Sequence, residues 1–259
     1  MKTSDKRAEP TRRQQADDTK QRLLQAAIDV FGRHGFESSS TRMLAEAAGA
    51  NLQSIAYYFG SKEGLYLAVA EYIADRIEER VSPIALAIRE QIGAAPKGRL
   101  PKEQARALLL QMLTRVAHLL LHDESAPWAR YMIREQMEPT AAFDHLYARV
   151  LSPSLDVVRV LVGSLLDRDP DSEQVRLRTM ATLGQVLVMR AARATLMRQL
   201  SWHQVGNDEL AAVDTLIATL VQSVAPATSS KADVSAPSTT RARAPGAATA
   251  ARTKTRKSS

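Results

Sequence analysis

Apolar positions recur at helical spacing along most of this chain, and their breaks divide it into helices. Leu24, Ala27, Ile28 and Phe31, widened by Leu23 and Val30, predict a first helix over about residues 18–34, which Gly35 ends. Thr41 then serves as an N-cap, and Met43, Leu44, Ala47 and Ala48 give a short apolar face. Gly49 stops that second helix where a left-handed residue is wanted, and Ala50 fills the turn. Asn51 caps a third helix with Leu52, Ile55 and Phe59 on its apolar side. Gln53, Ser54, Ala56, Tyr57 and Tyr58 are left on its other faces. Gly60 ends it, and Ser61 opens a longer helix to about residue 81 with Glu63 in its first turn. The inner face of that helix is Leu65, Val69, Tyr72, Ile73 and Ile77, and Pro83 closes or kinks it.

The rest of the pattern continues in the same style. A short helical piece over 84–92 precedes a loop over 93–101 that holds two Pro and two Gly. Residues 102–122 form an apolar helix along Leu108, Leu109, Met112, Leu113, Val116, Leu119 and Leu120. Pro127 lies near the start of the next helix, which ends before Pro139. A further helix from Thr140 is interrupted at Ser152 and Pro153, ahead of a stretch over 155–166. After a turn at 167–171, helices over 172–199 and 207–224 complete the ordered part. Leu177, Met180, Gly184, Leu187, Ala191 and Ala194 make one stripe on the first of these. Leu210, Val213, Leu216 or Ile217, Leu220 and Val224 make a matching one on the second. The stripes read either as a seam between two copies or as faces turned to their own core. The fold class is all-α. A short helix, a glycine turn and a second short helix within residues 41–60 make a helix-turn-helix, the motif whose second helix enters the major groove of DNA.

The same region resembles the DNA-binding domain of TetR-family repressors. The matching residues are Leu23 to Ala27, Phe31, Gly35 and Phe36, Thr41 and Arg42, Ala48 and Gly49, and the run from Tyr57 to Glu63. Leu65 and Tyr66, the Arg134, Glu135, Gln136 run, the segment 139–142, Gly184 and Trp202 extend the likeness to the CecR-type branch. The resemblance implies an N-terminal three-helix helix-turn-helix domain over 17–65 and a C-terminal helical domain over 66–225. It also implies a homodimer through a four-helix bundle of terminal helices, with Leu187, Ala191, Leu216 and Leu220 at the seam. A dimer of this kind is a ligand-responsive regulator of transcription, probed by an unknown small-molecule effector and acting on a near-palindromic operator in double-stranded DNA. The branch implies control of export or drug-sensitivity genes.

Charge changes this picture at the two ends. The net charge is +7, yet residues 17–62 hold five basic and five acidic side chains, and 63–225 hold eighteen and twenty. Residues 1–16 carry five basic against two acidic, and 226–259 carry seven against one. Both ends read as disordered basic segments. Arg12 and Arg13 are placed to reach an adjacent minor groove, with a solubilising tail as the competing reading. The tail closing on Arg252 to Lys257 leaves the same two readings open. A sequence-neutral, chromosome-associated binder driven by these arms is the alternative function.

Other chemistry finds little support. With no Cys, disulfides and thiolate metal sites are excluded. The N-terminus lacks a hydrophobic run and no segment approaches about 18 uninterrupted apolar residues, so neither a signal peptide nor a membrane span is expected. A cytoplasmic, nucleoid-associated location follows. His118 and His122 have zinc-binding spacing, but Leu119 to Leu121 fill the interval where a general-base Glu would stand, and helix-end capping by His122 is the preferred reading. No phosphate loop or nucleophile elbow occurs, so the chain is read as no enzyme, with no cofactor and no metal.

The candidate DNA contacts follow from the motif and the resemblance. Lys62 and Tyr58 match family positions that touch phosphates, and Thr41, beside Arg42, is well placed at a helix N-terminus to do so. Gln53, Ser54 and Tyr57 are the candidates for base edges, Gln53 through adenine. A cap alone for Thr41, and packing on the first helix for Tyr57 or Tyr58, are the competing readings. For the effector, the candidates are His118, Trp128, Arg134, Glu135, Gln136 and Trp202, with a structural ion pair as the competing role for Arg134 and Glu135.

Overall fold

The computed structural model describes residues 12–225, with side chains from residue 16 onward, and every regular element among them is helical. The first helix, α1 (Arg12–His34), starts ahead of the expected residue 18. The run Arg12-Arg13-Gln14-Gln15-Ala16 is made of strong helix formers and extends the helix through what the sequence reading assigned to a disordered arm. The arm before it and the basic tail over 226–259 lie outside the described residues, as do the side chains of Arg12 and Arg13.

Two short helices follow, α2 (Thr41–Ala47) and α3 (Gln53–Phe59). The cap of α2 is Ser40 rather than Thr41: its Oγ accepts the Met43 N–H at 3.1 Å, and Thr41 is the first helical residue. Asn51 does cap α3, its Oδ1 accepting the Gln53 N–H at 2.9 Å. Gly49 and Gly60 adopt φ of +57° and +76°, the left-handed conformations that set the turn between the two helices and the end of the second. Leu52 is 51 % exposed, against expectation, because a seven-residue helix buries its middle rather than its ends, and Ile55 alone is fully inside.

Lys62–Ala94 form a single helix, α4, through Pro83, where a stop or kink was expected. Val81, Ala85 and Ile88 are buried on either side of the proline, and full burial of a Val or Ile side chain stabilises by about 1.5–3 kcal/mol. Arg115 Nε also donates to the Arg80 carbonyl at 2.7 Å, in the turn that the proline disturbs. Next come α5 (Lys102–Leu121), α6 (Ala126–Met137), α7 (Ala141–Leu146) and α8 (Ser152–Leu166). Between α7 and α8 the chain stays helical in a π turn, Tyr147–Leu151, with the Ser152 N–H bonded to the Tyr147 carbonyl. The wider turn accommodates Pro153, which lacks an N–H for the regular ladder, so Ser152 and Pro153 do not interrupt the helix. The expected helix over 172–199 is two, α9 (Glu173–Ala191) and α10 (Arg193–Gln199), parted at Ala192, and α11 (Asn207–Val224) is the last.

Two apolar cores result. One joins α4 beyond Ile77 with α5, α8, α9 and α11. The other joins α1, α2, α3 and the first half of α4, and it is completed by Trp128 and Tyr131 of α6 with Ala142, Leu146 and Val150 beyond it. The expected boundary at residues 65 and 66 therefore cuts a continuous helix, and the core of the N-terminal helices closes against α6 and α7.

Candidate nucleic-acid interface

The surface of α3 is what its sequence leaves over once Ile55 is buried. Gln53 and Ala56 are exposed, Ser54 is half-buried, and Tyr57 stands 80 % exposed. Tyr58 is half-buried, its ring edge-on to Tyr57 with centroids 4.8 Å apart. Tyr57 thus does not pack into the first helix, and the ring of Tyr58 supports it from one side. On α2, Thr41 is half-buried and Arg42 is exposed, its Nε 2.8 Å from Glu46 Oε1. That contact raises the pKa of Arg42 through the hydrogen bond first and charge attraction second.

Lys62, the first residue of α4, lies beside this surface with its Nζ 4.2 Å from the centroid of the Phe36 ring. Ser61 caps α4, accepting the Gly64 N–H at 3.1 Å. A Cβ on Gly64 would fall 1.9 Å from the Phe59 carbonyl oxygen, so the end of α3 sits directly on this glycine. The angle at which α3 leaves α4 is set there.

The six effector candidates do not converge. His118 Nε2 is hydrogen-bonded to Asp214 Oδ1 at 2.8 Å between α5 and α11, while the His122 ring accepts the Glu124 N–H at 3.4 Å just beyond α5. Trp128 is buried in the N-terminal core beneath the Arg80 guanidinium, and Trp202 lies half-buried against the other core. Gln136 is exposed. Arg134 donates to the Gly32 and Arg33 carbonyls at 3.1 and 2.6 Å, closing the open end of α1. Glu135 is only 2 % exposed. It accepts the Tyr66 hydroxyl together with the Thr140 N–H and hydroxyl at 3.1 and 2.9 Å. Arg134 and Glu135 thus take separate structural partners rather than pairing with each other. A cavity of about 90 Å³ between α4 and α8, lined by Ile77, Val81, Ala85, Arg89, Arg149 and Val150 among others, includes none of the six.

Sequence reasoning did not find the residues that tie α6 to the N-terminal helices. Tyr131 donates to the Tyr66 carbonyl at 3.0 Å, and Arg130 reaches Asp29 at 2.7 Å. Burial and then the Glu135 contact raise the pKa of Tyr66, and burial raises that of Tyr131. Nothing local marks these partners, which lie 65 and 101 residues apart along the chain. Ser40, by contrast, was legible: it is a preferred cap residue three places before Met43.

Comparison with known proteins agrees with this geometry. Residues 23–69 match the family described as bacterial regulatory proteins, tetR family, and residues 105–227 match the C-terminal domain of the HTH-type transcriptional dual regulator CecR. The chain is 34 % identical to the HTH-type transcriptional dual regulator CecR of Shigella flexneri over 72 % of its own length and 82 % of the relative's. Among solved structures, a TetR-family transcriptional regulator from Bordetella parapertussis superposes with a TM-score of 0.55 at 17 % identity, covering 79 % of this chain and 93 % of the other. The regulator FadR from Bacillus subtilis, solved in complex with stearoyl-CoA, does so at 0.50 and 16 % identity, covering 78 % and 96 %. These two likenesses bear on the fold alone. Among the described residues no helix is long and apolar enough to cross a membrane. With a helix-turn-helix whose second helix presents its polar face outward and a CecR-type helical domain behind it, the chain belongs to the TetR family of DNA-binding transcriptional regulators and is not an enzyme.

Proposed function

We propose that this regulator is a ligand-responsive repressor that binds a near-palindromic operator as a homodimer. In this reading two copies of α3 enter successive major grooves about 34–36 Å apart. Gln53, Ser54 and Tyr57 read base edges, while Thr41, Arg42, Tyr58 and Lys62 hold phosphates. The observation that carries it is the face of α3, where a large aromatic residue stands 80 % exposed beside an exposed glutamine. The glutamine amide and the tyrosine hydroxyl can each donate and accept hydrogen bonds at base edges.

The dimer seam is assigned to α9 and α11. Leu187 and Leu216 are 46 % and 47 % exposed, Leu177 and Met180 more so, and Ala191 is exposed with them. Leu220 is half-buried, whereas Val213, Ile217 and Val224 of the predicted stripe turn to their own core. An effector binding one arrangement of the helical domain better than another shifts the spacing of the two reading helices and releases DNA. Control of export or drug-sensitivity genes belongs to the same proposal. Genomic binding followed by footprinting tests it: two protected half-sites one helical turn apart, upstream of such genes, are expected. Uniform coating of DNA without a preferred sequence would overturn it.

A further inference from the structure

Three of the five basic side chains over residues 17–62 are already engaged within the protein: Arg33 with Asp29 at 2.8 Å, Arg42 with Glu46 at 2.8 Å, and Lys62 over the Phe36 ring. Arg22 on α1 is exposed and makes no ion pair among the described residues. Its hydrogen bond there runs from Nη2 to the Thr19 hydroxyl at 3.3 Å. The guanidinium lies on the turn between α2 and α3, since a Cβ built on Gly49 would fall 3.9 Å from Arg22 Nη1. Gly49 stands two residues before Asn51, the cap of α3. A surface groove of about 720 Å³ opens beside it, lined by Asp18, Gln21, Arg22 and Gln25 of α1 with Ala47 and Ala48 at the end of α2. Gln21 and Gln25 are exposed as well.

A helix with its side chains is about 10–12 Å across and the major groove about 12 Å wide, so a helix seated in the groove has phosphates along both edges. Tyr58 and Lys62 offer contacts at the C-terminal end of α3, and Arg22 supplies a cation at the other end. A guanidinium with unengaged N–H groups suits a phosphate, which accepts paired hydrogen bonds from it, and neighbouring amides can donate beside it. We propose that Arg22 is a further DNA contact of this regulator, binding a backbone phosphate beside the N-terminal end of α3, with Gln21 and Gln25 as neutral donors along the groove. The contact serves affinity and register rather than base choice. It rests on α3 being the reading helix, as proposed above.

The test uses the full chain with the footprinted operator and a random duplex of equal length, over a series of salt concentrations. Arg22→Gln should weaken binding to both duplexes severalfold at low salt, and the slope of log affinity against log salt should become shallower by about 0.9 per subunit. Arg22→Lys keeps the charge and should keep the slope. Lys20→Gln removes the same charge from the opposite side of α1, about 200° around the helix, and should leave the slope unchanged. Asp18→Asn removes a carboxylate from the groove and should tighten binding to both duplexes. Thermal unfolding should match the parent in all four variants, which separates a lost contact from a disturbed fold. A slope for Arg22→Gln equal to the parent's, or an equal shallowing in Lys20→Gln, would overturn the contact. Gln53→Ala measured alongside separates this contact from base reading. Selectivity lost in Gln53→Ala with an unchanged slope in Arg22→Gln keeps the reading helix and removes the phosphate contact. A shallower slope in Arg22→Gln with no selectivity lost in Gln53→Ala keeps the contact and removes Gln53 from base reading.

Discussion

Gly64 shows how one residue sets the placement of α3. Its missing side chain lets the Phe59 carbonyl close onto the first turn of α4, and a methyl group there meets backbone rather than a movable side chain. Gly64→Ala should therefore cost about 3 kcal/mol in chemical unfolding and lower operator affinity by re-aiming α3. A variant as stable as the parent would show that the turn relaxes freely. Glu135 works at the same scale, with its buried carboxylate satisfied by Tyr66 and Thr140. Tyr66 and Tyr131 have pKa values raised above the ordinary phenol, so the unfolded chain loses these protons first as pH rises. Stability from this pair is present below about pH 10 and is lost above it. The alkaline fall in unfolding free energy should be shallower in Tyr66→Phe, and an unchanged slope would remove the pair from the account.

Among the helices, α4 is the case where composition misleads. Pro83 predicts an end, but the helix runs to Ala94 because burial on both sides and the Arg115 contact outweigh the lost backbone bond. Pro83→Ala should restore that bond and stabilise the chain by about 1–3 kcal/mol, measured by thermal unfolding. A loss of stability would mean that the proline ring packs favourably. The same comparison shows what can be read from one sequence. The turn glycines Gly49 and Gly60, the caps Asn51, Ser61 and Thr140, and the bounds of α11 follow from local chemistry and were legible. The break at Ala192 was not, since no glycine or proline marks it. Nor were the contacts of Glu135, Arg134 and Arg149 legible: each joins elements far apart in sequence, and a charged residue's local pattern does not name its partner. Arg149 takes Glu71, Asp75 and Glu78 together only because the π turn carries it over α4.

Among the described residues, α3 presents the face proposed to read DNA, and α9 and α11 carry exposed apolar side chains, Leu187 and Leu216 among them. A second copy seated there would cover Leu187 and Leu216 and fix the distance between two α3 helices. Leu187→Glu and Leu216→Glu would each place an unpaired charge in that seam, and sedimentation should give folded monomers. Dimers unaltered in both variants would put the interface elsewhere. The most direct measurement of sequence reading itself compares Gln53→Ala with Tyr58→Phe and Lys62→Ala, on operator and on random duplex at one salt concentration. The phosphate-contact variants should weaken binding to both duplexes alike. Gln53→Ala should narrow the gap between operator and random DNA by about 1–3 kcal/mol per half-site. Equal losses on both duplexes for Gln53→Ala would contradict base reading by the exposed face of α3.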